Sequence, residues 1–283
     1  MSAGAFALYP MTFYELQPQY LCRADPSQEW ESCKPEDFCE QDPTSGPLLE
    51  HKVDTESDLS LHNWVIDYGM QCAPKYQFGL FGSMFFFAVV LSSILLTPLA
   101  DRFGRRPILL IGTAMNCITQ TVMLFSESRQ LTYGLVFILG LGMPMNVFVG
   151  YIYAMELIPA NRTSYVSAVT MGNDGLVIAV ASIWFQVVSK NWKTIFATAT
   201  VLLYATHFLA WSMPESPAYL LTRGRYNEAR AVMTSIARKN RVKKLCFNEA
   251  EAQSFGAVSN ESASDGPVEY TCKWEPEVAK SRQ

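Results

Sequence analysis

The stretch LADRFGRRPILL, Leu99–Leu110, places one Asp and three Arg side chains around a glycine between two apolar runs. Tyr76–Ala100 before it and Pro107–Ser126 after it contain no Asp, Glu, Lys or Arg. A helix needs about 20 predominantly apolar residues to cross the hydrocarbon core of a bilayer. The stretch therefore predicts a tight turn between two membrane-spanning helices.

Three more apolar runs follow this turn. Residues 130–155 and 194–214 are free of Asp, Glu, Lys and Arg, and residues 163–189 are interrupted only by Asp174. The alternative is the buried core of a soluble protein, but helices there usually keep a polar face every 3.6 residues. These runs lack one. We predict an all-α integral membrane protein with five full spans within residues 76–214.

The charges are distributed unevenly along the chain. Residues 15–75 carry 13 of the 26 acidic but only 4 of the 22 basic side chains. Basic residues near span ends mark the cytoplasmic side, so we expect the 101–106 turn and residues 215–244 to be cytoplasmic and residues 17–75 to be extracytoplasmic. Because the basic residues fall mainly at span ends, they do not indicate a nucleic-acid partner.

The regions outside the spans carry their own signals. Residues 17–75 contain Cys22, Cys33, Cys39 and Cys72, an even number that predicts two disulfides in an oxidising space, with three possible pairings. Four unpaired thiols are the alternative. Residues 215–244 include helical spacing of apolar residues, which predicts an amphipathic helix, and the polar composition of residues 245–283 predicts disorder.

Four motifs resemble those of a known family. Two of them, at residues 156–162 and 191–193, are similar to runs at the inner end of its fourth helix and at the entry to its sixth. ADRFGRR resembles the signature between the second and third helices of major facilitator superfamily transporters, with Thr97 in place of its leading Gly. PESPAYLL, 214–221, is similar to the run after helix six in sugar and organic ion transporters, with Ala218 and Tyr219 replacing Arg and Trp. The cysteine-containing segment, ending NWVIDYGMQC, resembles the organic cation/anion transporter branch.

The resemblance implies a twelve-helix architecture of two six-helix halves. We expect this chain to supply the N-terminal half, namely helices two to six and a partial first helix at residues 1–16. The resemblance also implies an inner gate network, in which we expect Asp101 to pair with Arg105 or Arg162, and Glu156 with Arg102 or Arg106. A purely structural role for these charges is the alternative. The network comprises Asp101, Arg102, Gly104, Arg105, Arg106, Glu156, Arg162 and Glu215.

Polar residues inside the spans are candidates for a substrate or ion site. Asp174 follows Asn173, and a charge at mid-membrane costs about 2.5–3.5 kcal/mol unless it meets a cavity or a partner. It is expected to contact a cationic substrate or a coupling proton. Alternatively, Gly172 and Gly175 permit close helix packing around it. Gln120, Asn146 and Tyr153 are expected to line a central cavity or, alternatively, to join helices, and Pro144 should kink its helix.

We therefore expect transport of a small organic solute or ion by a major-facilitator-type carrier. The alternative is a non-transporting half-transporter that acts as a structural subunit. We expect neither a cofactor nor a metal, and no enzymatic activity, because the sequence shows no nucleophile–base set, metal cluster or phosphate-binding loop. The expected partners are the lipid bilayer, a small organic solute, and a second half or another membrane protein. The plasma membrane is the expected location, with an organelle membrane as the alternative.

Overall fold

The computed structural model describes residues 9–39, 49–57, 60–158 and 162–240, and of Asp174 only the backbone. Within this part of the chain, five helices are long and apolar enough to cross a membrane. Residues 1–8 of the predicted partial first helix and the predicted disordered tail lie outside it. The helices are α1 (Met11–Tyr14), α2 (Pro35–Cys39), α3 (Trp64–Asp67), α4 (Lys75–Leu95), α5 (Leu99–Phe103), α6 (Arg105–Phe125), α7 (Arg129–Pro144), α8 (Gly150–Leu157), α9 (Thr163–Ile183), α10 (Trp192–Trp211), α11 (Pro217–Thr222) and α12 (Tyr226–Lys239).

The long helices expose large apolar side chains. On α4, Phe86 and Phe87 are 62% and 63% exposed, and on α10, Phe208 and Leu209 are 69% and 64% exposed. Water would make such contiguous apolar faces unfavourable, whereas lipid chains solvate them. The prediction of a mostly helical half-bundle in a membrane is confirmed, and the chain is a multi-pass integral membrane protein.

The bundle centres on α6 and α7. Helix α7 packs against α4 and α6, and α6 also packs against α10. After Pro144, the helix changes to one π-helical turn, Met145–Val149, before continuing as α8. Proline lacks the N–H that an α-helix requires, and this irregular turn follows the predicted kink position. Helix α9 continues into a second π-helical turn, Trp184–Val188.

A small antiparallel sheet lies in the cysteine-containing segment, for which the sequence pattern predicts no strands. Strands β1 (Tyr20–Arg23), β2 (Glu31–Cys33) and β3 (Glu50–Val53) are arranged in the order β2-β1-β3. Burial against Phe38 and the disulfides raises the pKa of Tyr20 to about 12. Strands of three or four residues are too short to give an alternating pattern that the sequence would reveal.

Two disulfides form among the four cysteines, as predicted. Cys22 bonds to Cys33 across the β1–β2 pair, and Cys39 bonds to Cys72 just before α4. The first closes a sequence separation of 11 residues and the second one of 33. The first disulfide lies within the sheet, and the second joins α2 to the segment before the first long helix. We call this end of the bundle the disulfide end.

Hydrogen bonds from the backbone and from the Asn63 side chain link the segments at the disulfide end. The His62 N–H donates to the Lys190 carbonyl at 2.9 Å, and the Trp192 N–H donates to the His62 carbonyl at 3.0 Å. The Asn63 Nδ2 donates to the Phe13 and Leu16 carbonyls at 3.0 and 2.6 Å. The segment before α4 is thereby joined both to α1 and to the start of α10.

Candidate functional site

The opposite end of the bundle, which we call the arginine end, is organised by the turn at Gly104. This residue has φ +111°, which side-chain-bearing residues rarely adopt. A Cβ built on it would lie 2.5 Å from Oε2 of Glu215. The turn therefore requires glycine both for its backbone conformation and for the close approach of the Glu215 carboxylate.

Glu215 caps the first turn of α6 from a distant part of the chain. Its Oε1 accepts from the backbone N–H groups of Arg105 and Arg106, both at 3.1 Å, and from that of Ser216 at 2.9 Å. The first N–H groups of a helix have no partner within it, and a negative charge is favoured at that end. Glu215 thus fixes α6 to the segment that follows α10.

Arg105 bridges two carboxylates. Its Nη1 donates to Oδ1 of Asp101 at 2.5 Å, while Nε and Nη2 both donate to Oε1 of Glu156 at 3.3 Å. The Arg105–Asp101 pair is one of the expected alternatives. Glu156 pairs with Arg105, however, so the expected pairing with Arg102 or Arg106 is wrong. The guanidinium of Arg105, the first residue of α6, thus contacts Glu156 near the end of α8.

Arg102, Arg106 and Arg162 have other surroundings. The Arg106 Nη2 donates to the Trp211 carbonyl at 2.6 Å, at the end of α10. Arg102 contributes its backbone carbonyl, which accepts from Tyr219 and Arg223. Arg162 lies exposed at the start of α9, and among the described residues no ion pair joins it to either carboxylate. The expected Asp101–Arg162 alternative is therefore not the one formed.

Tyr153 also lies at the arginine end. Its hydroxyl donates to the Pro214 carbonyl, which links α8 to the segment after α10. This bond joins two segments of the bundle, which is the second of the two roles expected for Tyr153. Sequence reasoning could not place it, since its partner lies 61 residues away.

The predicted cavity residues Gln120 and Asn146 lie at helix interfaces. Gln120 is fully buried, and its Oε1 accepts from the Thr200 hydroxyl at 3.1 Å. Oδ1 of Asn146 lies 3.0 Å from where a Cβ on Gly112 would be. Gln120 thus joins α6 to α10 by a hydrogen bond, as polar residues in membrane bundles commonly do. Asn146 packs against α6, but within the described residues neither its Nδ2 nor its Oδ1 has a hydrogen-bond partner.

Gly172 and Gly175, on either side of Asp174, do not make the close helix contacts that are one of the two expectations for this region. A Cβ built at Gly172 or at Gly175 would meet nothing within 4 Å. The expected close helix packing at these glycines is therefore wrong for the described part of the chain, because both positions face open space, although Val177 on the same helix is buried. Asn173 is half-buried beside Asp174.

Comparison with known proteins gives the family. The model for "Sugar (and other) transporter" matches residues 25–272. The chain belongs to this family. Its members are transporters, which confirms the expectation that the chain is not an enzyme, and the resemblance to major facilitator transporters is confirmed.

The similar curated proteins are organic cation transporters and solute carriers. Over 212 residues the chain is 24% identical to organic cation/carnitine transporter 2 of Homo sapiens, covering 72% of this chain and 37% of that protein. It is 29% identical over 192 residues to solute carrier family 22 member 1 of Oryctolagus cuniculus, covering 63% and 34% respectively. The chain thus spans about a third of the length of these relatives.

Proposed function

We propose that this chain forms one half of a secondary carrier for small organic solutes, with organic ions as the substrate class. The names of the similar proteins support this class. We place the carrier in the plasma membrane, with the arginine end in the cytoplasm and the disulfide end outside. Two observations support this orientation: arginines collect at cytoplasmic span ends, and disulfides persist in oxidising spaces.

The observation that carries the proposal is the convergence of three motif segments at the arginine end. Arg105 holds carboxylates from α5 and α8, and Glu215 holds the start of α6 from beyond α10. Alternating access requires one half to rock against the other around a central site. These bonds tie the ends of the helices together, so that the half moves as one body.

Asp101 is the group best placed to form a gate contact. Its side chain is 74% exposed, although Arg105 pairs with one oxygen, whereas the Glu156 side chain is only 18% exposed. An exposed carboxylate at the end of a half-bundle is free to accept from a second half when the inner ends close. We therefore assign Asp101 to the gate and Arg105, Glu156 and Glu215 to the frame that supports it.

A second half, on the same or another polypeptide, is the proposed partner. Helix α9 is the candidate contact, because the region around Gly172 and Gly175 is open. Asp174 lies between these glycines, and we propose that it contacts a cationic substrate or a coupling proton at the interface. Charged residues in membrane spans usually serve such a role.

The test is uptake by the full chain in proteoliposomes, with the radiolabelled cation tetraethylammonium, the zwitterion carnitine and the anion p-aminohippurate as probes. Saturable uptake of any probe supports the carrier. Asp174→Asn is expected to reduce uptake of the cation about tenfold or more, the size of one lost charge contact, and Gly172→Ala serves as the matched control on the same helix.

Two results would contradict these assignments. Unchanged cation uptake by the Asp174→Asn variant would remove that residue from the site. Absence of uptake of all three probes, in preparations whose disulfides and helical content are intact, would contradict transport by a carrier made of this chain alone and would favour the alternative role as a structural subunit.

A further inference from the structure

The end of α5 depends on two residues that the family motifs do not predict. In a continuing helix, the carbonyls of Asp101 and Arg102 would accept from the N–H groups four residues later, those of Arg105 and Arg106. These two N–H groups donate to Glu215 instead. The turn at Gly104 therefore leaves two carbonyls that need other donors.

Tyr219 and Arg223 supply these donors. The Tyr219 hydroxyl donates to the Arg102 carbonyl at 2.9 Å. The Arg223 Nη2 donates to the Asp101 carbonyl at 2.8 Å and to the Arg102 carbonyl at 2.9 Å. Tyr219 lies in α11 and Arg223 at its C-terminal end. The segment after α10 therefore contacts the end of α5 through these two residues and the start of α6 through Glu215.

The Tyr219 ring also links this contact to the charge bridge. The guanidinium carbon of Arg223 lies 5.6 Å from the ring centroid, and that of Arg105 lies 5.8 Å from it. Cation–π attraction acts within about 6 Å, and the ring is largely buried. Arg105, which holds Asp101 and Glu156, thus rests on the side chain that also holds the end of α5.

The residue type at position 219 departs from the family motif. The PESPAYLL run has Tyr where the family pattern has Trp, and Ala218 where the pattern has Arg. Trp has no hydroxyl, so it cannot make the bond to the Arg102 carbonyl in this way. Arg223 lies outside the motif. Tyr219 therefore makes a hydrogen bond that its departure from the pattern permits, and Arg223 adds two that the pattern does not predict.

We propose that Tyr219 and Arg223 form a latch that holds the end of α5 and thereby positions Asp101 for the inner gate. They are positioning residues, since neither contacts a substrate. The latch joins the 99–106 turn to the α11 segment without a covalent bond, so it can release. Its role in transport rests on the proposed function, whereas its role in holding the turn does not.

The holding role is tested by pulsed electron spin measurements of a distance. Spin labels are attached at Phe103→Cys and Thr222→Cys, both exposed positions, in the full chain with Cys246 and Cys272 replaced by Ser. Tyr219→Phe is expected to raise the population of longer distances about fivefold, the effect of one neutral hydrogen bond. Arg223→Gln is expected to raise it about tenfold, and Arg223→Lys to restore part of the loss.

Matched controls separate the latch from general effects on the segment. Tyr226→Phe removes a hydroxyl, and Arg238→Gln a positive charge, from α12 without touching the latch. Both are expected to leave the distance distribution unchanged. An unchanged distribution in the double variant Tyr219→Phe/Arg223→Gln would overturn the latch.

The gating role is tested by uptake kinetics of the same variants. Loss of the latch is expected to lower the maximal uptake rate while leaving KM unchanged, because the gate and not the binding site is affected. Broadened distances with unchanged maximal uptake would overturn the gating role. Absence of uptake by the parent chain would instead contradict the proposed function, and the distance measurement would still decide whether the latch holds the turn.

Discussion

The two ends of the half-bundle are fastened by different kinds of bonds. At the disulfide end, one disulfide joins β1 to β2 and a second joins α2 to the segment before α4. Buried aromatic rings, neutral backbone hydrogen bonds and the Asp67–Lys193 ion pair join that segment to α1 and α10. At the arginine end, carboxylates and guanidinium groups join α5, α6, α8 and the segment beyond α10. No disulfide occurs among the described residues of the arginine end.

This difference separates a permanent fastening from a reversible one. A disulfide opens only by reduction or exchange, and buried aromatic packing responds little to salt. Charge-assisted hydrogen bonds at a partly hydrated surface are individually modest and depend on charge and ionic strength. We therefore expect the disulfide end to keep its shape while the arginine end rearranges, and four perturbations test this contrast.

The largest effect is expected from removing a disulfide at the disulfide end. Replacing Cys39 and Cys72 by Ser opens a separation of 33 residues, whereas replacing Cys22 and Cys33 opens one of 11. The loop-entropy relation gives losses of about 4 and about 3 kcal/mol in the free energy of unfolding. Denaturant unfolding in detergent micelles measures both. A smaller loss for the Cys39–Cys72 pair would show that strain or residual structure outweighs loop length.

The next largest effect is expected from a substitution in the turn at the arginine end. Gly104→Ala forces a side chain into the φ +111° conformation and against the Glu215 carboxylate. We expect a loss of about 3 kcal/mol in the free energy of unfolding. Gly172→Ala is the matched control, because its Cβ would enter open space in the middle of a helix, where alanine is favoured over glycine. Equal stabilities of the two variants would contradict the close approach of Glu215.

Gly104 also shows what the sequence could predict. The turn between two spans followed from local hydropathy and from the charges at the span ends, because lipid solvation acts on every residue of a span independently of its neighbours. That Glu215 is the residue which binds the turn could not be predicted from the sequence. Glu215 lies 110 residues from Arg105, and only the packing of α10 brings the two together.

The wrong pairing of Glu156 has the same origin. Arg102, Arg105 and Arg106 are all close in sequence, and which guanidinium faces α8 depends on the backbone direction at Gly104. The resemblance to the family found the charged residues of the cluster but not their geometry. Tyr219 and Arg223 had no such signal, since one departs from the motif and the other lies outside it.

The third perturbation removes the charge of the α6 cap. Glu215→Gln keeps one acceptor oxygen for the N–H groups of Arg105 and Arg106 but loses the negative charge at the helix start. We expect a loss of about 1–2 kcal/mol in the free energy of unfolding, measured by thermal unfolding in micelles. Glu228→Gln, at an exposed pair with Arg225, is the control and should change little. A larger effect at Glu228 would argue against Glu215 as the charge that fixes α6.

The smallest effect compares the two ends under salt in a single sample. Raising the ionic strength from 0.01 to 1 M shortens the screening length from about 30 to about 3 Å. Backbone N–H groups of Arg105 and Arg106 donate to a carboxylate, whereas those of His62 and Trp192 donate to carbonyls. We expect hydrogen exchange of the first pair to accelerate about two- to threefold in high salt, consistent with a partly screened surface contact, while the second pair is unaffected.

In the Glu215→Gln variant the acceleration should disappear, because the accepting group then carries no charge to screen. Absence of a salt response at Arg105 and Arg106 would mean that the arginine end is held by shape rather than by charge, and the gate would then need a different release.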